Sequence, residues 1–419
     1  MSRATRLLLG VTLLAALFRL PGLGFPREEY FDEVYHAKTA RQYLRGEEPT
    51  EWVHPPTAKL LIATGVWLFG YKPWAWRLAP AAAGILIAPL FLLLARRVLA
   101  TERAALFATL VLLMDGVYLI QSRIAMTNVF AVLFQLLSAL LLLRAAMDKD
   151  ELRLPDMAAL GLALGLALST RWTSLFAWGF LGLVYLALRR ARAFRPRDLA
   201  LGALAFVLLP AAVYLSSYVP WMAQAHPESL RDWWQRAQAA IAWQHDIWAY
   251  HAHLNATHTY FSPWWTWPWL YRPAWYFWNS SEGTVRGIIA LGNPAIWWAS
   301  VPVSLWALVT GIRWRDPRRV FCGAGFFLLY LPWGLSPRTL NFSHYLFEAI
   351  PYACLSLGTL LDRRWDDGQA LLARGYLLTV VVLFLLFLPL LTAMPVPLAL
   401  WGFRFPTGGG IWTWFPTWI

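Results

Sequence analysis

Apolar runs of about twenty residues recur along the whole of this 419-residue chain, and that is the length an α-helix needs to cross the hydrocarbon core of a bilayer. Inside that core every backbone N–H and C=O must find a partner within its own segment, so such a chain folds as a bundle of helices. Taking the apolar runs as spans predicts helices near 7–25, 74–94, 104–120, 127–143, 157–170, 172–188, 199–218, 287–311, 320–334, 346–361 and 371–391. The expected fold is an all-α polytopic membrane protein with about eleven transmembrane helices, forming one integral unit over residues 1–419 without a soluble core.

Bases outnumber acids, with a formal net charge of +13. They concentrate in short hinges between apolar runs, at Arg96-Arg97, from Arg189-Arg190 to Arg197, from Arg313 to Arg319 and at Arg363-Arg364. This is the positive-inside pattern, so the charge orients the chain and no nucleic-acid partner is expected. The N-terminus then lies in the cytoplasm and the C-terminus outside, in a multi-pass protein of the cell membrane. Arg3 and Arg6 precede the first apolar run as in a signal sequence, but Leu17-Phe18-Arg19-Leu20-Pro21 offers no small-x-small cleavage site, so the first helix should stay uncleaved. Cys322 and Cys354 fall inside apolar runs with no metal or CxxC spacing and read as small buried residues.

This orientation gathers on the outer face the 26–73 loop, the turn from Asp115 to Arg123, the 219–286 loop, the turn from Ser336 to Tyr345 and the C-terminal tail. Nearly all the unusual polar chemistry falls there, which makes the active face extracytoplasmic. Residues 59–71 are too short to span and should lie along the interface. The aromatic run from Phe261 to Trp269 suits the headgroup layer, with a sugar-stacking wall as the alternative.

Within the first outer loop, Asp32 and Glu33 are adjacent. Neighbours on a helix or a strand do not face each other, so these two cannot flank one bond as a glycosidase pair does. One should act and the other bind or orient: a single carboxylate suffices to deprotonate a hydroxyl nucleophile when the leaving group, such as a phosphate, needs no proton. The alternative is that Asp32 only caps the helix starting at Glu33.

Arg77, Arg123, Arg171 and Arg338 stand at the outer ends of expected helices. A guanidinium at membrane depth faces a cavity or an anion, and its planar fork suits phosphate; snorkelling to headgroups is the alternative. Histidines collect on the same face: His54 in His-Pro-Pro, then His245, His251, His253, His258 and His344 beside Tyr345. With no carboxylate or thiol at ligand spacing they read as hydrogen-bonding groups for a sugar or phosphate, or as loop structure, and no metal site is assigned. Asp148-Lys149-Asp150 has the Asp-x-Asp form that holds a metal in many soluble glycosyltransferases, but it lies in a cytoplasmic hinge and reads as a solvated charge run. Gly408-Gly409-Gly410 lacks the lysine and helix of a phosphate loop and reads as a turn.

Phe31-Asp32-Glu33-Val34-Tyr35 followed by Val53-His54-Pro55-Pro56-Thr57-Ala58-Lys59 resembles the first external loop of the protein O-mannosyltransferases, membrane enzymes of the C-type glycosyltransferase fold. Further similar pieces run in order: Trp76-Arg77-Leu78, Asp115 to Ile124, Gly165 to Thr173, Ser217 to Pro220, His258 to Pro268, Leu291 to Trp298 and Ile411 to Phe415. The resemblance implies a polyprenyl-phosphate-linked mannose donor, a serine or threonine acceptor on an exported polypeptide, and inversion at the sugar carbon. It implies Asp32 as base and Glu33 in placing the acceptor; on the chemistry of the residues themselves, His54 is a further candidate for binding the acceptor and some of the four arginines are expected to hold the donor phosphate. His258, His344 and Tyr345 are candidates for holding the donor sugar. No obligatory cofactor is expected, although a divalent cation near Glu33 is compatible; membrane lipids and the export machinery are the further partners implied.

Two departures stand out: Arg171 where the family often has lysine, and Asn128 where it often has an acid. The chain also lacks the inserted luminal β-trefoil module of the eukaryotic members and resembles a bacterial form. The rival readings are a transferase of the same fold acting on a lipid or cell-envelope glycan, as the aminoarabinose transferases do on lipid A, and a non-enzymatic transporter of lipid-linked sugars.

Overall fold

The computed structural model describes residues 1–147, 151–190, 195–406 and 408–419; the Asp148-Lys149-Asp150 run lies outside them. Helix α1 (Arg3–Arg19) starts where Ser2 accepts from Thr5 N and ends just before Pro21. Two helices of the first outer loop follow, α2 (Glu33–Arg45), stopped by Gly46 at φ +67°, and α3 (Thr57–Phe69). Gly46 supplies the left-handed conformation that ends many helices. Next come α4 (Pro73–Val98), α5 (Glu102–Leu113), α6 (Gly116–Gln121), α7 (Asn128–Met147), α8 (Leu154–Leu168) and α9 (Ser174–Arg190). Ten of the eleven expected apolar spans fall on a helix or on consecutive helices. Five helical stretches among the described residues are long and apolar enough on their own to cross a membrane: 73–98, 128–147, 196–223, 294–313 and 370–392.

The breaks have local causes. The expected 104–120 span divides at Asp115, whose carboxylate leaves the α5 axis to cap α6, accepting from Tyr118 N at 2.8 Å. The 199–218 span runs as α10 (Pro196–Ala203), a wider π turn over Leu204–Leu208 and α11 (Leu209–Ser216), because Pro210 has no N–H to give to the preceding turn. The short α12 (Val219–Ala223) leads to α13 (Leu230–His253), a long helix that opens with a reciprocal cap between Ser229 and Asp232.

Two expectations are corrected. Residues 287–311 do not form one helix: Trp275–Ser281 is strand β1, Thr284–Ile289 is strand β2, and α14 (Pro294–Arg313) begins only at Pro294. Glu282 and Gly283, both at positive φ, make the tight turn that an antiparallel hairpin requires, and Val396–Pro397 (β3) adds to the β2 edge. The fold is thus mostly helical with a small sheet rather than all helix. The aromatic run is also split in its roles: Trp267 is fully buried against Trp333 and Tyr345, while Trp265 and Trp269 point outward.

The remaining helices are α15 (Pro317–Tyr330), α16 (Ile350–Asp366), α17 (Ala370–Thr392) and the short α18 (Leu398–Gly402). One apolar core runs through the bundle from Ala15 to Trp418. The tail closes onto the hairpin side: Trp418 Nε1 donates to Leu270 O and Trp275 Nε1 to Trp418 O. A smaller cluster of Tyr218, Trp221, Met222 and Ala240 attaches α13 through α12.

Candidate active site

A cavity of about 510 Å³ is walled by five distant pieces of chain: the start of α2, residues 50–54, residues 126–128, Arg171 beyond the end of α8, and the pair formed by the end of α13 with residues 338–345. Asp32 stands at the residue before α2, yet its side chain makes no capping bond. Its carboxylate lies in the cavity wall, and no hydrogen bond or ion pair among the described residues ends on it. Burial, with the Glu51 charge adding to it and Arg171 and Arg338 opposing, raises the Asp32 carboxyl to about 6. It remains ionised at neutral pH but is a stronger base than an ordinary aspartate.

Glu33 points the other way. Arg77 grips it with two parallel bonds, Nε to Oε1 at 2.8 Å and Nη2 to Oε2 at 2.7 Å, and Ala125 N donates to Oε1 at 3.0 Å. The other Arg77 donors reach the carbonyls of Leu23, Pro26 and Glu28. Both side chains are 0% exposed and lie off the cavity. Arg123 is occupied in the same manner, its Nη1 donating to the carbonyls of Phe18, Arg19 and Pro21. Glu33, Arg77 and Arg123 are thus not among the residues that line the cavity, and together they tie the 20–33 segment to the bundle. Nor does Glu33 keep a free oxygen face for a divalent cation.

Arg171 and Arg338 do face the cavity. Arg171 Nη1 donates to Asn128 Oδ1 at 2.8 Å, its Nε lies 3.6 Å from Glu348, and its guanidinium sits over the Tyr345 ring at 4.7 Å. Asn128 thus orients the arginine as an acid would, without adding a negative charge. Arg171 Nε and Asn128 Nδ2 are buried donors left without a hydrogen-bond partner. Such groups are costly unless a ligand completes them. Arg338 Nε donates to Leu340 O at 2.7 Å and Nη1 to His251 Nδ1 at 3.1 Å. His251 can accept there because its Nε2 hydrogen is held by Val53 O at 2.9 Å.

His54 lines the cavity too, and its setting depends on two residues to which sequence reasoning assigned no role. Glu51 Oε1 accepts from His54 Nδ1 at 2.7 Å, and buried Lys59 ion-pairs with Glu51 while donating to His54 O at 2.7 Å. Burial alone would raise the Glu51 carboxyl, but Lys59 and His54 more than offset it and hold it well below its usual range. An ionised Glu51 has no proton to give, so Nδ1 carries the hydrogen and Nε2 keeps a lone pair. Burial holds His54 down to about 3, His36 and His251 to about 4, and all three stay neutral. The spacing Glu51-x-x-His54 with Lys59 beyond it was the available signal. His258 and Tyr345 line the cavity; His344 does not, since it packs flat on Phe342 behind the wall.

A second cavity, of about 440 Å³, shares His54, Arg171, His251 and Arg338 with the first but is otherwise mostly apolar, with Trp172, Phe176, Trp248, Trp333 and Leu335 in its walls. The two arginines stand between a more polar chamber and a more apolar one.

The family model for dolichyl-phosphate-mannose-protein mannosyltransferase matches residues 10–76 and 72–224, and that for the C-terminal four-transmembrane region of protein O-mannosyltransferase matches 237–403. The chain belongs to the protein O-mannosyltransferase family. A polyprenol-phosphate-mannose–protein mannosyltransferase of Mycolicibacterium smegmatis is 28% identical, over 97% of this chain and 92% of that one. Among solved structures, the Saccharomyces cerevisiae Pmt1-Pmt2 complex bound to the sugar donor superposes with a TM-score of 0.80 at 15% identity, covering 94% of this chain and 91% of that one. ArnT of Cupriavidus metallidurans bound to undecaprenyl phosphate superposes at 0.57 with 19% identity, over 93% and 74%. This protein O-mannosyltransferase is thus a multi-pass membrane glycosyltransferase of the C-type fold.

Several family-like pieces turn out to be fasteners. Asp115 accepts from Trp297 Nε1 at 2.7 Å and from Asn293 N at 3.2 Å, and Asn293 Nδ2 donates to Met114 O and Val380 O. These bonds lock α6, α14 and α17 together. No group of three metal-ligating side chains occurs among the described residues.

Proposed function

We propose that this chain moves mannose from a polyprenyl-phosphate donor to serine or threonine hydroxyls of exported polypeptides, with Asp32 as the general base. The observation that supports it most is an unpartnered carboxylate in a chamber flanked by two arginines. The acceptor O–H gives its proton to Asp32 while its oxygen forms the bond to the anomeric carbon and the bond from that carbon to the phosphate oxygen breaks. One displacement from the opposite face inverts the sugar carbon. The leaving polyprenyl phosphate gains a negative charge as it departs, and Arg171 and Arg338 stabilise that charge in place. The Arg171 guanidinium and Asn128 Nδ2 supply donors for it, and the His54 Nε2 lone pair accepts from a hydroxyl of acceptor or sugar. His258 and Tyr345 serve the sugar from the cavity wall, and His344 supports that wall from behind.

The apolar chamber suits the donor lipid and the polar one the acceptor, so both meet at the arginines they share. The bundle sits in the cell membrane with its N-terminus in the cytoplasm and the chamber and C-terminus outside, which follows from the placement of the basic hinges. Arginine can carry the phosphate charge without a resident metal, so exhaustive chelation should leave turnover intact.

The test is purified protein in lipid nanodiscs with synthetic polyprenyl-phosphate mannose and a Ser/Thr peptide. Wild type should form mannosyl peptide, and Asp32→Asn should lose about 10²–10⁴-fold in turnover while still binding the donor. Product with a lipid acceptor but with no peptide would favour the envelope-glycan reading instead; donor movement across the bilayer without any product would favour a transporter.

A further inference from the structure

Trp52 and Tyr250, whose rings meet edge to face at 5.7 Å, line the Asp32 chamber on one side and an open groove of about 810 Å³ on the other. The groove runs between α13 and residues 48–52. Ala239, Ala242, Asp246 and Ala249 recur along one face of α13 at helical spacing and make its wall, the small side chains leaving a trough beside the helix backbone. Trp221 and Trp243, 4.7 Å apart, close its far part.

In a chain of net charge +13, the charged residues lining this groove are two acids, Glu48 and Asp246. Glu48 Oε2 accepts from Trp221 Nε1 at 3.1 Å, which leaves Oε1 free. The Asp246 side chain is 67% exposed beside an exposed His245. Just outside, Arg236 already lies over the Trp221 ring at 5.3 Å, so these indoles can hold a cation.

We propose that this groove carries the acceptor polypeptide onward from the hydroxyl at Asp32 and favours acceptors with lysine or arginine flanking that hydroxyl, an inference that rests on the protein-acceptor reading above. An extended peptide fits a long trough walled by alanines, and its side chains stack on the flanking indoles. A cationic side chain gains from both carboxylates and from the aromatic faces. The groove adjoins the chamber across Trp52 and Tyr250, so a chain with its hydroxyl at Asp32 that crosses these two rings enters it. Anionic lipid headgroups would be repelled by the same two acids.

The experiment compares a neutral Ser/Thr peptide with two derivatives flanked by lysines or by glutamates, using wild type and Glu48→Gln/Asp246→Asn. Exposed charge pairs are worth little singly, so wild type should favour the lysine peptide over the glutamate peptide by about fivefold in kcat/KM, expressed in KM and weakened by salt. The double variant should keep wild-type kcat on the neutral peptide and lose most of the preference. Ala242→Trp, which fills the trough without changing charge, should raise KM for a long acceptor and spare one of about three residues.

Equal kcat/KM for both charged peptides, or a preference that survives the double substitution, overturns the groove while leaving the reaction standing. Transfer to a lipid but to no peptide overturns the reaction and this inference with it.

Discussion

Asp32 and Glu33 are neighbours in sequence and near-opposites in setting. Glu33 is fully buried, doubly bonded to Arg77 and completed by Ala125 N, with no capacity left for a ligand. The Asp32 carboxylate makes no hydrogen bond among the described residues, sits in a chamber wall and is raised to about 6. The arginines divide by place: Arg77 and Arg123 are occupied by carbonyls and a carboxylate away from the chamber, whereas Arg171 and Arg338 line it. Saturation separates the two carboxylates, and place in the chamber wall separates the arginines that hold this fold from those that face a substrate. Charge, residue type and position at a helix end do not separate them.

The largest way to break that comparison is to open the closed pair. Glu33→Gln leaves Arg77 with an uncompensated buried charge and should cost about 3–5 kcal/mol of stability, read as a lowered thermal transition in detergent. A transition within a degree of wild type would mean that the pair is not the fastener described here. On the open side, Arg171→Met should lower kcat about 10²–10³-fold with a smaller loss of thermal stability than Glu33→Gln, because Glu348 keeps its bonds from Gln135 and Thr173. Arg123→Met should do the reverse, because the carbonyls of residues 18, 19 and 21 lose their donor.

A smaller, graded effect comes from pH. Asp32 must be ionised to accept a proton, so kcat/KM should be flat above about pH 7 and fall tenfold per unit as pH drops below the Asp32 value of about 6. His36, His54 and His251, held at about 3–4, stay neutral through that window and add no second step. A limb near 4, the ordinary carboxylate value, would place the base in water rather than in this wall.

Much of the bundle was legible in the sequence because hydrophobic runs report spans directly. What escaped was governed by contacts between distant segments. The hairpin at 275–289 escaped because most of it fell in the 219–286 loop and its end was absorbed into the 287–311 span, where Ile288, Ile289 and Ala290 are apolar enough for either structure; the turn at Glu282-Gly283 decides between them. The adjacency of Asp32 and Glu33 correctly excluded a facing pair. It could not say which one met an arginine, since that depends on where α4 places Arg77, 44 residues beyond Glu33. Four arginines at outer helix ends looked alike, and only the loop carbonyls around Arg77 and Arg123 distinguish them from Arg171 and Arg338. Glu51 passed unnoticed because an acid in a loop is ordinary until Lys59 and His54 close over it.

The central claim is that Asp32 acts and Glu33 holds, and one side-by-side measurement tests it most directly: donor binding, turnover per folded molecule and thermal stability for Asp32→Asn and Glu33→Gln in the same nanodiscs. The account predicts that Asp32→Asn is as stable as wild type, binds polyprenyl-phosphate mannose and makes almost no product. It predicts that Glu33→Gln is much less stable, while the fraction that remains folded still turns over. An Asp32→Asn protein that mannosylates at the wild-type rate, or a stable Glu33→Gln protein that does not turn over, would contradict it.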